Sequence, residues 1–250
     1  MPDNTVFFIT DICIPHVFRL IETDVNDRLY YTYYCNMSGQ GTSIFAFYDF
    51  IVLPGGGYTG ANLASTIQSL MNGNIEPGAN ISFTVSWDSG AYSINVVTSG
   101  ANAGFKFLTD DEVVNFKNQF QNQVDSSNTK SANDILKINT PTKYYDSGIT
   151  FTSDFVSLQP INNVYITSPN LGSFDTLSPF SNNVIKKVPV TVPYGYMIID
   201  QNSSNNDFLN CSRQTLRTIE IHLKDSRGRY VNLHGMNVSF SIVFNKYLEP

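Results

Sequence analysis

From Ser147 to Asn245 the chain runs through SGITFTS, NNVYITSP, NVIKKVPVTVP, YGYMIID, TLRTIEIHLKD, GRYVNL and MNVSFSIVFN, short β-prone runs separated by Pro, Gly and Asn. Strands this short, at this spacing, point to an antiparallel sandwich or barrel. The pattern leaves no room there for the strand–helix alternation of a parallel α/β fold. Within it, Arg217, Ile219, Ile221 and Leu223 share one face of an expected strand from Thr215 to Lys224, with Leu216, Thr218, Glu220, His222 and Lys224 on the other. The last run alternates Val238, Phe240, Ile242 and Phe244 against Asn237, Ser239, Ser241 and Val243, so one face of the closing strand belongs on a core.

The first half is mixed. Thr5 to Leu20, Leu29 to Cys35 and TSIFAFYDFIVL read as strands. Leu63, Ile67, Leu70 and Met71 fall at helical spacing, with Thr59 or Asn62 to cap the helix and Asn72-Gly73 to end it. ISFTVSWD and AYSINVVTS form a hairpin across Ser89-Gly90, and GFKFL adds a strand. Thr109 and Glu112 make a capping box that opens a helix through VVNFKNQFQN. The polar segment after it sets the expected division: a β-rich domain with short helices over 1–125, a linker over 126–143 and a β-sandwich over 144–250.

The chemistry-bearing candidates are few. Gly55, Gly57 and Gly60 spell G-x-G-x-x-G between an apolar strand and a helix, and Asp88 ends the next strand where a ribose-binding carboxylate would sit. Yet Asp88-Ser89-Gly90 turns into an antiparallel hairpin, and no G-K-[ST] follows the glycines. The stretch therefore reads as a backbone turn, with Tyr58 as a packing anchor. His222 and His234 flank the last turn without metal-ligand spacing. Asp24, Asn26 and Asp27 lack the glycine and distal glutamate of a calcium loop. Asp110, Asp111 and Glu112 suit a helix N-terminus by charge. No catalytic, cofactor-binding or metal-ligating residue is assigned, and no enzyme is expected.

Charged residues make up 14% of the 250, so Asn, Ser, Thr and Gln must supply most of the polar surface, which suits strands and turns. A net charge of −6 gives no electrostatic reason to bind nucleic acid. Cys13, Cys35 and Cys211 are odd in number and widely spaced, as for reduced buried thiols. No apolar run nears the roughly 20 residues of a membrane span. The N-terminal run, with Asp3 and Asp11 and no basic flank, does not read as a signal peptide.

Two groups of passages carry a resemblance. LPGGGYTGANLASTIQSLMN with the SFTVSWD and AYSINVV hairpin is one; NNVYITSPNLGSFDTLSP, KKVPVTVPYGYMIID and TLRTIEIHLKDSRGRYVNLHGMNVSFSIVF are the other. Together they resemble minor capsid or vertex (penton- or spike-type) structural proteins of double-stranded DNA viruses, including virophages and polinton-like viruses. The resemblance implies a jelly-roll-like sandwich in a virion component, assembled in the host cytoplasm or nucleus. Its partners would be other capsid proteins, a major capsid protein among them, and further copies of itself. The alternative is a lectin-like attachment module, in which Tyr144-Tyr145 or Tyr194-Gly195-Tyr196 stacks on a glycan receptor.

Overall fold

The computed structural model describes residues 4–120, 124–125, 127–138, 143–171, 176–178, 181–182, 184–202, 207–212 and 216–246. Antiparallel sheets dominate, and contacts group the chain into two units. Residues Met1–Phe18 and Gln159–Pro250 form a terminal unit, and Arg19–Leu158 form a unit inserted within it. This differs from the division expected at 126–143. Ala132, Ile135, Leu136 and Ile138 lie in the core of the inserted unit, and Asp110 accepts hydrogen bonds from Ser131 Oγ (2.5 Å) and Asn133 Nδ2 (2.7 Å). A polar composition hid four buried aliphatic side chains. The first strand, β1 (Thr5–Pro15), belongs to the terminal unit.

In the inserted unit, β2 (Arg28–Asn36) pairs with β3 (Ile44–Val52). Helix α1 (Gly60–Gly73) follows, then the hairpin of β4 (Ser82–Asp88) and β5 (Ser93–Ser99). Next come β6 (Gly104–Phe107), α2 (Asp110–Asn115) and a 3-10 turn over Lys117–Phe120. Helix α3 (Asn133–Leu136), β7 (Tyr145–Asp146) and β8 (Thr150–Thr152) complete it. The sheets run β3-β2-β6-β7 and β4-β5-β8. Their shared core takes Tyr31, Tyr33 and Cys35 from β2, Phe83 and Val85 from β4, Phe105 and Phe107 from β6, and Leu63, Ile67 and Met71 from α1. The expected helix through VVNFKNQFQN stops at Asn115 and tightens to 3-10, which turns Phe120 onto Tyr30. SGITFTS, expected in the second half, supplies β8 and pairs with β5 here.

The polar face of α1 has a structural task. β4 is an edge strand, and Gln68 Oε1 accepts the Val85 amide at 2.8 Å while Asn72 both accepts from Phe83 N and donates to Phe83 O, each at 2.8 Å. Two side chains one helical turn apart thus stand in for a missing neighbour strand and close the edge.

The terminal unit holds β9 (Asn163–Thr167), β10 (Thr176–Ser178), β11 (Ser181–Asn182), β12 (Val184–Pro189), β13 (Met197–Asp200), β14 (Leu209–Asn210), β15 (His222–Lys224) and β16 (Ser239–Lys246). One sheet is built on β1, a second runs β12-β9-β15, and β10 and β11 form a two-stranded pair of their own. Ile9, Ile12, Ile14 and Ile198 of the first share a core with Val164, Ile166 and Val188 of the second, which makes an antiparallel sandwich. Along β1 the buried positions change from Phe7 and Ile9 to Ile12 and Ile14. A register shift between Ile9 and Asp11 causes this, since one extra residue moves the following side chains to the opposite parity. Lys186 of β12 reaches across to Asp200 of β13 (3.4 Å) and to the carbonyls of Asn202 (2.7 Å) and Ile9 (3.4 Å). The expected strand Thr215–Lys224 is ladder-paired only from His222, with residues 213–215 outside the described set.

Candidate assembly surface

The glycine stretch resolves into turn and packing contacts. Gly56 and Ile21 exchange backbone hydrogen bonds at 2.9 and 3.1 Å, Tyr58 donates to the Pro54 carbonyl at 2.6 Å, and Thr59 caps α1 by accepting from Asn62 N. A Cβ on Gly60 would stand 2.1 Å from ring atoms of Trp87, so this glycine lets the helix start flush against the indole. Gly57 is not among the positive-φ glycines, so no left-handed conformation demands a glycine there. Asp88 Oδ1 accepts the amides of Gly90 (2.8 Å) and Ala91 (3.2 Å), which places the supposed ribose carboxylate inside its own turn.

The other polar candidates have local partners. Asn26 Oδ1 accepts Glu22 N, Asp27 Oδ2 accepts Asp24 N, and Lys130 lies 3.0 Å from Asp24, where its hydrogen bond and charge hold that carboxyl below its usual range. The Thr109–Glu112 capping box forms, and Glu112 also pairs with Lys106. His222 lies 3.8 Å from Glu220 and meets the Tyr230 ring edge-on. His234 sits in a turn with φ of 51°. Among the described residues no three His, Cys, Asp or Glu side chains are grouped to hold a metal ion. A cavity of about 510 Å³ is lined in part by Lys186, Asp200, Asp207 and Leu209, but Lys186 is already engaged as described.

The two tyrosine pairs differ. Tyr145 packs on Phe105 and Phe151, while Tyr144 leans on Tyr34. Burial and the Asp146 carboxylate beside it push the Tyr34 phenol up to about 12. Tyr194 and Tyr196 are both exposed on a turn pinned to His16, which donates its amide to Tyr196 O and accepts from Gly195 N, each at 2.8 Å.

The β1 sheet carries a group of exposed apolar side chains. β13 and β14 share one side of β1, so β16, paired along Thr5 to Lys246 through Cys13 to Ser239, takes the other side and is the sheet's edge. Phe244, Ile242 and Phe240 stand opposite the buried Phe7, Ile9 and Ile12, on the core-facing side as the periodicity predicts. Ile242 and Val238 pack against the core, and Phe244 touches it through the Phe7 ring. Phe240 is 36% and Phe244 40% exposed, because the opposite sheet does not cover them. Val243 on the outward face is 37% exposed, and Met197 and Ile199 of β13 are exposed as well. Large apolar side chains held open on a rigid strand suit burial against another protein.

No family model and no curated protein matches the chain. Among solved structures, the chain is similar to a chain of the Sputnik virophage, with a TM-score of 0.40 at 11% identity over 98% of this chain and 88% of that one. It is also similar to the mavirus penton protein, with a TM-score of 0.47 at 15% identity over 99% of this chain and 90% of that one.

Proposed function

We propose that the chain is a structural component of a viral capsid, a minor capsid or vertex subunit that acts through protein–protein interfaces. Its partners are other capsid proteins, including a major capsid protein, and further copies of itself, and its place is the virion. The observation that carries this reading is the β16 edge, where Phe240 and Phe244 belong to a core that the single chain leaves open. The resemblance of its turn-and-strand passages to virion proteins supports it. A stable contact of this kind should bury at least about 1,000 Å². No catalytic residue enters the proposal.

The test is the protein content of purified particles. The chain should co-purify with a major capsid protein at a fixed ratio that survives a salt wash. Its absence from particles, with the protein abundant in the infected cell, would refute the reading. A glycan array addresses the receptor-binding alternative, which rests on Tyr194 and Tyr196 now that Tyr145 lies in a core.

A further inference from the structure

Two sheet edges of the inserted unit carry side-chain contacts. Gln68 and Asn72 occupy the edge of β4, and on β3 Asn74 Nδ2 donates to Phe50 O at 3.0 Å while Phe116 and Phe120 pack on Tyr48. On β16 no described strand lies beyond the β1 side; outside the ladder, Thr10 Oγ1 donates to Ser241 O and Lys246 N donates to Asn245 Oδ1. The usual guards are missing too. The strand has eight residues, no proline, and one charge, Lys246, at its very end. At about 3.3 Å per residue this is an open edge of roughly 26 Å.

We infer that this edge pairs with β16 of a second copy of the chain, antiparallel, about a two-fold axis through Ile242. The inference rests on the assembly reading above and names its contact. The sequence supplies the argument. Two edge strands related by an axis perpendicular to their sheet keep the same face up, so a core-facing residue must oppose a core-facing residue. FSIVF, from Phe240 to Phe244, reads the same in either direction on that face: aromatic, Ile242, aromatic. Centred on Ile242, the pairing sets Phe240 opposite the partner's Phe244, Ile242 opposite the partner's Ile242, and Phe244 opposite the partner's Phe240. On the outward face Ser241 meets Val243. Lys246 falls opposite the partner's Val238, so no like charges are directly opposed. Aromatic pairs across the join favour this register, and the two half-covered phenylalanines of each copy gain the cover that the single sandwich lacks. A second copy fits better than an unrelated strand because the pattern is its own complement.

The test uses the full chain. Ser241 and Val243 are exposed and face outward, so S241K/V243K should leave the fold and its melting temperature intact while opposing Lys to Lys twice across the join. Sedimentation equilibrium should show wild type self-associating, with S241K/V243K and S241E/V243E each weakened by about tenfold or more and an equimolar mixture of the two restored. In a Cys13→Ser background, I242C should form an interchain disulfide on mild oxidation and S241C should not. A monomeric wild type overturns the inference. So do charged variants that associate as wild type does, or a mixture that shows no rescue. Persistent association in those variants would leave the assembly reading standing with another contact, and particle composition judges that reading separately.

Discussion

Replacing Gly60 by Ala is the sharpest probe of the glycine stretch. The new methyl would lie 2.1 Å from Trp87 ring carbons, where ordinary van der Waals contact begins near 3.4 Å, so the helix start and the indole must separate by about 1.3 Å. Alanine gains at most about 1 kcal/mol of helix propensity over glycine, and less at a first helical position. Forcing a methyl into a packed site costs about 1–3 kcal/mol, and a fused ring held in a strand cannot swing aside as a flexible side-chain tip would. The clash should win, leaving a net loss of roughly 1–2 kcal/mol. Trp87 is the chain's single tryptophan, so its emission through a urea titration reports the event directly. Trp87→Leu should relieve most of the penalty in the double variant, a coupling that a double-mutant cycle measures. An unchanged midpoint and emission for Gly60→Ala would refute the packing account. Saturable nucleotide binding lost in that variant would restore the cofactor reading.

Three further outcomes are expected. Lys186→Met removes the cation beside Asp200, whose side chain is 12% exposed and keeps the Asn202 amide as donor, and should cost about 1–3 kcal/mol in denaturant, whereas Lys186→Met with Asp200→Leu should recover part of it. Burial raises the Asp49 carboxyl above its usual range despite the Phe50 amide that it accepts, so the folded state binds the proton more tightly than the unfolded chain. Stability should therefore fall as pH rises from the unfolded value near 3.8 through the raised folded one, and Asp49→Asn should abolish that slope and melt higher at neutral pH. A fragment of residues 19–158 should melt cooperatively alone, while 144–250 should not, since it lacks β1; the reverse result would reinstate the 126–143 linker.

Local signals in the sequence translated directly into structure. The β4–β5 hairpin, the stripe of Leu63, Ile67 and Met71, and the Thr109–Glu112 box are each specified by residues within one or two turns of one another. Distant pairings were not legible. Nothing near Thr5 announces that its strand will lie between β13 and β16, and the register shift after Ile9 is visible only against the partner strand. The closing strand shows the limit well: alternation identified the face of Phe240 and Phe244 correctly, but periodicity says which side a residue faces and not whether anything lies there. On sequence alone Gln68 is merely off the apolar stripe and Asn72 belongs to the helix end. Their four-residue spacing becomes informative once β4 is known to be an edge.

The nesting of one unit inside the other sets an order on synthesis. Arg19–Leu158 carries its own strand partners and can close as soon as it clears the ribosome, but β1 is made before it and must await β13 and β16, which lie on the far side of that unit in the sequence. At roughly 5–20 residues per second, that wait is on the order of ten to fifty seconds. Until β13 and then β16 are made, TVFFITDICIP is a strongly apolar strand without its ladder partners, tethered to a finished neighbour. The yield of this protein in a cell should thus depend less on final stability than on what shelters the eleven residues of β1 during translation, and slowing elongation should lower the soluble fraction even though the folded product is unchanged.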